Sequence, residues 1–442
     1  MSASYRPLSR LALFGLTVSM LAGCGAPSLM GPGAQGEGTF RAKASEGDFP
    51  ASSPLKASTV LSYQAVDNNL QGSLPSDLDV MERLVDPKHM NLLVSADVFA
   101  FRFSWAKGFE KVSHREKGGA YRFFVTPDAR ENAYASPYMG LSDPDSGSAG
   151  HLQEFVSWGF GKHPGRLKVL DIRSHGHGPL GIADDFHSRT RIFLPELHGA
   201  IKQGTGGKGV DVLTTKACLM ASVEVGYQLS DSVGYLVASE DGMLTRSGQD
   251  SLFYRNLDVL AKNPTVTARE FATAYVTKGM AIQTAELRTA TTYSATDLRK
   301  VPAAIAPLKA VSRALLALMP TRKAEIQAAL ESSRNWGRSQ TQTDLYDLCE
   351  KLEALRDPAL SEACAQVRRA LDGAVVVALS DEANRAGMHG LTVMTRLTTG
   401  DQATNEALFA QYKRTAFDRE VGWSRVLEAL GPYGPERKDH NG

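Results

Sequence analysis

Two short apolar runs constrain the fold of this chain more than any other feature. Residues 167–172 (LKVLDI) and 210–215 (VDVLTT) have the length and the β-branched content of buried strands. An amphipathic segment with helical spacing starts at residue 151 and leads into the first run. Strands that alternate with helices in this way predict right-handed βαβ crossovers, and therefore an α/β fold whose mainly parallel sheet is flanked by helices.

Each of these runs ends at a side chain that can do chemistry. The first is followed by Ser174, His175 and Gly176, and the second by Ala217 and Cys218. The carboxyl ends of parallel strands are where open α/β sheets gather their functional groups, so we expect His175 and Cys218 to lie close together. A thiol attacks a carbonyl only as the thiolate, and a neighbouring imidazole can take its proton.

The surroundings of the two residues favour a developing negative charge. Gly176 lets its backbone N–H approach a substrate without a side chain in the way. Cys218 is expected at a strand-to-helix junction, where unsatisfied N–H groups and the helix dipole attract an anion. His177 could replace His175 as the base, but only His175 stands directly at the predicted strand end.

The N-terminus predicts export from the cytoplasm. Arg6 and Arg10 precede an apolar run at 11–20, which ends in the sequence LAGC at 21–24. This box resembles the bacterial lipoprotein signal, which implies cleavage before Cys24 and lipidation of its sulfur. The protein would then be anchored to a membrane of the cell envelope, on its periplasmic or cell-surface side. An ordinary secretory signal that happens to contain a Cys is the alternative.

Composition shifts divide the remaining chain. Residues 1–23 read as the signal peptide, and 24–57, rich in Gly, Pro and Ser, as the lipidated Cys and a flexible tether. Residues 58–264 contain the predicted strands and form the α/β catalytic core. Residues 265–442 are mostly helical, with late strands at 373–379 and 389–395 that complete the fold.

Charge and cysteine content limit the partners. The chain has 49 Lys and Arg against 48 Asp and Glu, so nothing in its net charge predicts binding to nucleic acid.

Cys349 and Cys364 lie at similar distances from a turn between two predicted helices. They could form a disulfide in an oxidising compartment, or simply be two small buried residues.

The strand-end motifs resemble those of the clostripain family of cysteine peptidases, which have a caspase-like fold. The matching segments are SHGHG at 174–178, ACLMA at 217–221 and VASE at 237–240, with a milder match at 67–70. The resemblance implies a cysteine endopeptidase that acts on peptides without a cofactor. Cys218 would be the nucleophile and His175 the general base and acid. The backbone N–H groups of Gly176 and Cys218 would form the oxyanion hole.

One residue departs from the family pattern. Two positions before the Cys, the family usually has an Asp that recognises Arg or Lys before the scissile bond, and here the residue is Lys216. A cation repels a cationic side chain, so we expect a preference for Asp, Glu or a neutral residue. The pocket would also include Ser239, Glu240 and Asp241. Alternatively, Glu240 or Asp241 pairs with Lys216 or restores the basic preference, or cleavage of substrates has been lost.

Two other readings of the chain remain open. A lipoprotein of this fold could be catalytically silent and only bind peptides or a partner. A metal-dependent hydrolase would use the dense cluster of His175, His177, Asp184, Asp185 and His187, although the Asp-His that usually follows such a His-x-His pair is absent. A structural calcium site is a further expectation, with oxygens from loop carboxylates at Asp143, Asp145, Asp184, Asp185 and Asp241.

Overall fold

The computed structural model describes most of the chain from Phe49 onwards. The described residues are 49–99, 101–104, 108–111, 119–130, 134–142, 144–243, 250–287, 291–336, 341–381, 387–397 and 402–431. Cys24, the predicted signal peptide, most of the tether and Asp143 lie outside them.

The strands and helices of these residues are numbered in chain order. The strands are β1 Lys56–Val66, β2 Met90–Val98, β3 Phe101–Ser104, β4 Gly108–Lys111, β5 Gly119–Phe124, β6 Tyr138–Leu141, β7 Gly165–Arg173, β8 Ile182–Asp185, β9 Thr190–Ile192, β10 Val210–Lys216, β11 Val233–Ala238, β12 Thr292–Asp297, β13 Asn335–Trp336, β14 Gln342–Asp344, β15 Val375–Ser380 and β16 Thr392–Met394. The helices are α1 Leu74–Leu84, α2 Ala149–Lys162, α3 Leu194–Gly204, α4 Val223–Gln228, α5 Asp258–Lys262, α6 Ala268–Ile282, α7 Ile305–Ser332, α8 Leu345–Glu353, α9 Pro358–Ala374, α10 Gln402–Tyr412, α11 Ala416–Val421 and α12 Trp423–Leu430.

Nine of these strands form one central sheet. Its order is β15-β12-β11-β10-β7-β1-β2-β5-β6, and the five middle strands from β11 to β2 are parallel. The outer strands pair antiparallel on both sides. The mainly parallel α/β sheet expected from the two apolar runs is confirmed, since these runs are β7 and β10 at its centre.

The direction of the chain across the sheet reverses at β1. From β1 the chain crosses through α1 to β2 on one side, and later continues through β7, β10 and β11 on the other. The carboxyl ends of β1 and β7 are therefore neighbours at a topological switch point, where open α/β sheets form their binding crevice. In register, Gln64 on β1 lies beside Arg173 on β7, and Arg173 lies beside Lys216 on β10.

Apolar layers cover both faces of the sheet. One face packs Leu61, Leu170 and Leu213 against α2, α3 and the long helix α7, and the other packs Val60, Val169 and Val212 against α1 and α6. Neighbouring strand positions thus point into opposite layers. Burial on both faces explains why the central strands read as continuous apolar runs rather than as alternating patterns.

The C-terminal half differs from the sequence expectation in two strands. Residues 292–297 (TYSATD) form β12 inside the central sheet, in a mostly helical region where the sequence predicts strands only at 373–379 and 389–395. The polar side chains of this strand can be buried because Thr292 hydrogen-bonds to Ser239 and Ser294 donates to the carbonyl of Gly390. The predicted strand at 389–395 shortens to β16 and joins the small sheet β13-β14-β16 instead of the central one.

The longest helix is α7, which contains Pro320 and is kinked at Arg322. With the turn before it, the stretch Leu298–Ser332 is long and apolar enough to cross a membrane by length and composition. In this structure Leu308, Val311 and Leu315 are buried in the core layer that also contains side chains of α8, α9 and α12. The helix is thus packed as part of the fold.

Cys349 on α8 and Cys364 on α9 are both buried in the same core layer. Their hydrogen bond and their burial raise the pKa of Cys349 well above its usual value. Both are free thiols in this structure, so the disulfide suggested by the sequence is not formed in it. The antiparallel helix pair does bring the thiols into contact, but a bond between them also requires an oxidant.

The start of the described chain is held by aromatic packing. The Phe49 ring lies 6.3 Å from that of Phe124 and 5.8 Å from that of Trp158, centroid to centroid. Ser53 Oγ donates to Asn91 Oδ1 at 2.9 Å and contacts His163 Nδ1 at 3.0 Å. Residues before the expected boundary at residue 58 therefore pack against the α/β core. We call Phe49, Phe124 and Trp158 the aromatic clasp.

Candidate active site

The turn after β7 is fixed by β8. The N–H of Ala183 donates to the carbonyl of His175 at 3.1 Å, and that of His177 donates to the carbonyl of Gly181 at 2.9 Å. Ser174 Oγ accepts from the N–H of Asp184 at 3.1 Å. Because these bonds surround Gly176, the turn holds its shape independently of any substrate.

His175 is buried at the end of this turn. Its Nε2 lies 2.6 Å from Oδ1 of Asn69, and the Phe186 ring stacks nearly parallel to it, with 6.1 Å between the centroids. Burial lowers the pKa of His175 to about 4. The imidazole is therefore neutral at pH 7, as a general base must be.

His177 has a different environment. Its Nε2 lies 2.9 Å from Oδ2 of Asp184, and Arg191 donates to both oxygens of the same carboxylate. Burial opposes the ionisation of Asp184, but the Arg191 charge outweighs it and holds the pKa of this carboxyl below its usual range. His177 is thus part of a buried ion-pair network, whereas His175 faces only a neutral amide at Nε2.

Cys218 lies two residues beyond the end of β10. The N–H of Met243 donates to its Sγ at 3.3 Å. Leu219 has a φ of 66°, a conformation that is strained for a residue with a side chain, and its N–H donates to the carbonyl of Asp241 at 3.1 Å. The segment after β11 therefore holds the backbone around Cys218 through hydrogen bonds.

The expectation that a helix dipole acts on Cys218 is wrong. The following helix, α4, begins only at Val223, five positions further along the chain, and has six residues. Leu219 and Met220 lie in an irregular segment, and Ser222 caps the helix instead. The donor that reaches the sulfur comes from Met243, on a loop that sequence reasoning did not connect with the Cys.

The His-Gly turn and the Cys segment are in direct contact. A Cβ atom built on Gly176 would lie 2.5 Å from the carbonyl oxygen of Cys218 and 2.8 Å from Cβ of Ala217. Only glycine fits this approach without displacing the backbone. The expectation that the two strand ends meet is thus borne out for Gly176 and Cys218.

Lys216, at the end of β10, points into the core layer that also contains Cys218 and Tyr254. Its ammonium lies over the Tyr254 ring, and only 7% of the residue is exposed. The Tyr254 hydroxyl donates to Asp171 at 2.9 Å. On the neighbouring strand β7, Arg173 lies beside Lys216 and pairs with Asp77 at 2.7 Å. A buried, charged network therefore lies beside Cys218.

The other three expected pocket residues follow β11. Ser239 Oγ lies 2.9 Å from Oγ1 of Thr292, so its hydroxyl faces β12. Glu240 and Asp241 are both buried, and Asp241 contributes its backbone carbonyl to Leu219. Ser239 also contacts the Cys218 segment through its backbone carbonyl, which accepts from the N–H of Ala221, and the N–H of Glu240 donates to Oγ1 of Thr292.

Carboxylates converge at a different place from the expected one. Among the described residues, the group whose ligand atoms lie within 4.8 Å of one another is Asp67, Asp97 and Asp185, all buried. Of the four described acids that are expected to bind calcium, Asp185 alone belongs to it. Asp184 is engaged by His177 and Arg191, Asp145 by Thr190, and Asp241 accepts from the Gly242 N–H. The described histidines do not belong to this group, although His187 Nδ1 lies 2.8 Å from Oδ2 of Asp67.

Asn69, Phe186, Met243 and Tyr254 are the contacts that sequence reasoning missed. A signal existed for Asn69, because Asp67, Asn68 and Asn69 directly follow the apolar strand at 58–66. They read as a turn, but a turn at the carboxyl end of a parallel strand also lies at the functional edge of the sheet. The other three are reached only through tertiary contacts.

Comparison with known proteins places this arrangement in a family. A sequence model of the clostripain family matches residues 62–429. No curated protein sequence matches the chain. A secreted C11 cysteine protease from Bacteroides thetaiotaomicron is similar in structure, with a TM-score of 0.60 and 14% identity over 84% of this chain and 100% of that one. An inactive zymogen C11 protease from Parabacteroides distasonis has a TM-score of 0.56 and 17% identity over 84% and 99%. The match over most of its length shows that the chain belongs to the clostripain family of cysteine peptidases.

Proposed function

We propose that the protein is an endopeptidase that hydrolyses peptide bonds through a dyad of Cys218 and His175. The proposal is supported by one observation above all, the close approach of Gly176 to Cys218, which joins the two strand ends. A structure of the Bacteroides thetaiotaomicron protease contains an irreversible peptide inhibitor, with 16% identity to this chain, and we extend peptide binding to this chain as part of the proposal.

The reaction would proceed through an acyl-enzyme. His175 takes the thiol proton of Cys218, and the sulfur attacks the scissile carbonyl. The N–H groups of Gly176 and Cys218 would stabilise the tetrahedral oxyanion. His175 then gives its proton to the leaving amine, and water hydrolyses the thioester by the same route in reverse.

We further propose that Lys216 directs specificity away from Arg and Lys. The support is its burial with Tyr254 in the layer that contains Cys218. A cationic substrate side chain that reached this layer would meet a like charge in a water-poor site, which strongly disfavours binding. Acidic or neutral side chains would avoid this cost.

A panel of fluorogenic peptides that differ only before the scissile bond tests both proposals. The wild type should cleave peptides with Asp, Glu or Ala there, and those with Arg or Lys at least about 100-fold more slowly. Lys216→Asp should reverse the order. Lys216→Met removes the charge at similar volume and should abolish the discrimination without reversing it.

The same charge change at exposed Lys208 is the matched control for the panel. Lys208→Asp should leave the order of the substrates unchanged. Rapid turnover of Arg peptides by the wild type would sink the specificity proposal. Binding without turnover of any peptide would favour the catalytically silent lipoprotein.

We propose that a divalent cation, most simply calcium, is held by Asp67, Asp97 and Asp185. Calcium prefers carboxylate oxygens, and three buried carboxylates so close together repel one another unless a cation or protons intervene. Nδ1 of His187 lies 2.8 Å from Oδ2 of Asp67 at the edge of this cluster. The cation would stabilise the loops after β1 and β8 and has no role in the chemical steps.

Thermal unfolding with calcium and with a chelator tests the cation proposal. At saturating calcium the melting temperature of the wild type should rise by about 2 °C or more, and that of Asp97→Asn should not respond. The exposed Asp372→Asn is the control and should respond like the wild type. If Asp97→Asn raises the melting temperature and calcium affects neither protein, protons rather than a cation relieve the repulsion.

We also propose that the protein is lipid-anchored through Cys24 outside the cytoplasm. The basic residues Arg6 and Arg10, the apolar run at 11–20 and the LAGC box support this. The similar protease from Bacteroides thetaiotaomicron is described as secreted, which agrees with an extracytoplasmic location. A mature N-terminal peptide that starts anywhere other than at Cys24 would exclude the anchor.

A further inference from the structure

The turn that follows β1 is held rigidly beside the His-Gly turn. Asn68 Nδ2 donates to the carbonyls of Ala65 at 3.0 Å and Asp184 at 2.8 Å, and its Oδ1 accepts from the N–H of Leu70 at 2.9 Å. The N–H of Phe186 donates to the carbonyl of Asp67 at 2.8 Å. The backbone of this turn is thus fixed by its neighbours, and the side chain of Asn69 is not needed to hold it.

Asn69 itself is exposed, and its described side-chain contact is with His175. The 2.6 Å contact joins Oδ1 of the amide and Nε2 of the imidazole. An amide oxygen accepts hydrogen bonds and cannot donate them, so this contact requires a proton on Nε2. In a neutral imidazole the lone pair then lies on Nδ1, which becomes the basic nitrogen.

Two further contacts restrict His175, one at its ring and one at its backbone. Phe186 stacks on it at an interplanar angle of 5°, so the ring cannot tilt without losing that face. The carbonyl of His175 is held by Ala183. Stacking on the ring face does not determine which nitrogen of His175 carries the proton. The hydrogen bond to Asn69 does, because it selects one of the two tautomers.

We infer that Asn69 is a positioning residue for His175, which keeps the proton on Nε2 and makes Nδ1 the general base. This rests on the proposed dyad. The proton of the Cys218 thiol moves to Nδ1 as the S–C bond forms, and the imidazolium keeps its Nε2–H on Asn69. The Nδ1 proton moves to the amine as the C–N bond breaks. Water then loses a proton to Nδ1 as its oxygen bonds to the acyl carbon. The sulfur of Cys218 takes this proton as the S–C bond breaks.

Substitution of Asn69 should change the chemical step and not substrate binding. Asn69→Ala should lower kcat by about 10- to 100-fold with KM within about twofold, because part of the imidazole population then has the wrong tautomer. Asn69→Asp keeps an acceptor oxygen and should retain kcat within about threefold at its optimum. Its carboxylate stabilises the imidazolium, so the acidic limb of the pH profile should move up by about one pH unit or more.

Nitrogen NMR of the histidines measures the same property without any turnover. The wild type at pH 7 should have His175 as the Nε2–H tautomer, and Asn69→Ala should have a mixture, with His175→Ala supplying the assignment. Asn263→Ala, at another exposed asparagine, is the control and should match the wild type in both assays.

The outcomes separate the two proposals. Hydrolysis that survives Cys218→Ala overturns the dyad, whatever the tautomer of His175. A wild-type proton on Nδ1, or an Asn69→Ala protein with unchanged tautomer, kcat and pH profile, overturns the role of Asn69 even when hydrolysis depends on Cys218.

Discussion

Replacing Cys218 with alanine should lower the rate of peptide hydrolysis by roughly 10⁵-fold or more, because in the proposed mechanism this residue supplies the sulfur that forms the acyl-enzyme. His175→Ala should cost about 10²- to 10⁴-fold, the usual contribution of a general base. Alkylation of Cys218 by iodoacetamide should slow in parallel in His175→Ala. Both effects are read from initial rates on the best peptide of the panel and from mass spectrometry of the labelled protein.

The pH dependence follows from the environment of His175. Its pKa of about 4 lies below the ordinary value of 6.5, so the neutral base persists at lower pH than usual. Hydrolysis by the wild type should therefore continue to about pH 5 and fall as the pH drops through about 4. His198→Ala, remote from the site and paired with Asp231, is the control. A loss in His177→Ala as large as that in His175→Ala, with the alkylation rate equally reduced, would contradict the choice of base.

Gly176→Ala should reduce kcat by about 10²- to 10³-fold although it adds only one methyl group. The new Cβ would come within 2.5 Å of the Cys218 carbonyl oxygen, a backbone atom that cannot move aside cheaply. The His-Gly turn must then shift away from the Cys, which disturbs both the base and the oxyanion donors. Overpacking of this kind also lowers stability by about 1–3 kcal/mol.

Gly161→Ala is the matched control for this substitution. Gly161 lies in α2, and a Cβ there would meet nothing within 4 Å, so the change should be neutral or slightly stabilising. Melting temperatures of both variants separate unfolding from misplacement. Near-normal kcat in a folded Gly176→Ala protein would show that the approach of the two segments is not required for catalysis.

The positions of the two proposed dyad residues at strand ends could be predicted from the sequence, whereas most of their neighbours could not. His175 and Cys218 were identifiable because buried parallel strands are continuous apolar runs and function follows their carboxyl ends. Strand β12 was missed because Thr292 and Ser294 look polar in the sequence, yet they hydrogen-bond inside the sheet. The helix dipole at Cys218 was overestimated, although Ser222, a favoured N-cap residue, marks the actual start of α4 in the sequence.

The remaining contacts depend on segments that are distant along the chain. Asp67, Asp97 and Asp185 converge only because β1 and β2 are neighbours and the β8 segment returns beside β1. Met243 reaches Cys218 from beyond β11, and Tyr254 reaches Lys216 from still further along the chain. Such contacts follow from the order of the strands, which periodicity in the sequence does not determine.

The aromatic clasp also places the start of the described residues at one particular edge of the central sheet. It holds the start of the chain beside the amino ends of β1 and β7, whereas His175 and Cys218 follow the carboxyl ends of β7 and β10. The nine residues of β7 separate the two edges by about 30 Å. With the anchor proposed here, the cleft would open away from the lipid bilayer. Polypeptides on the side of the domain opposite to its point of attachment would then reach the cleft most directly.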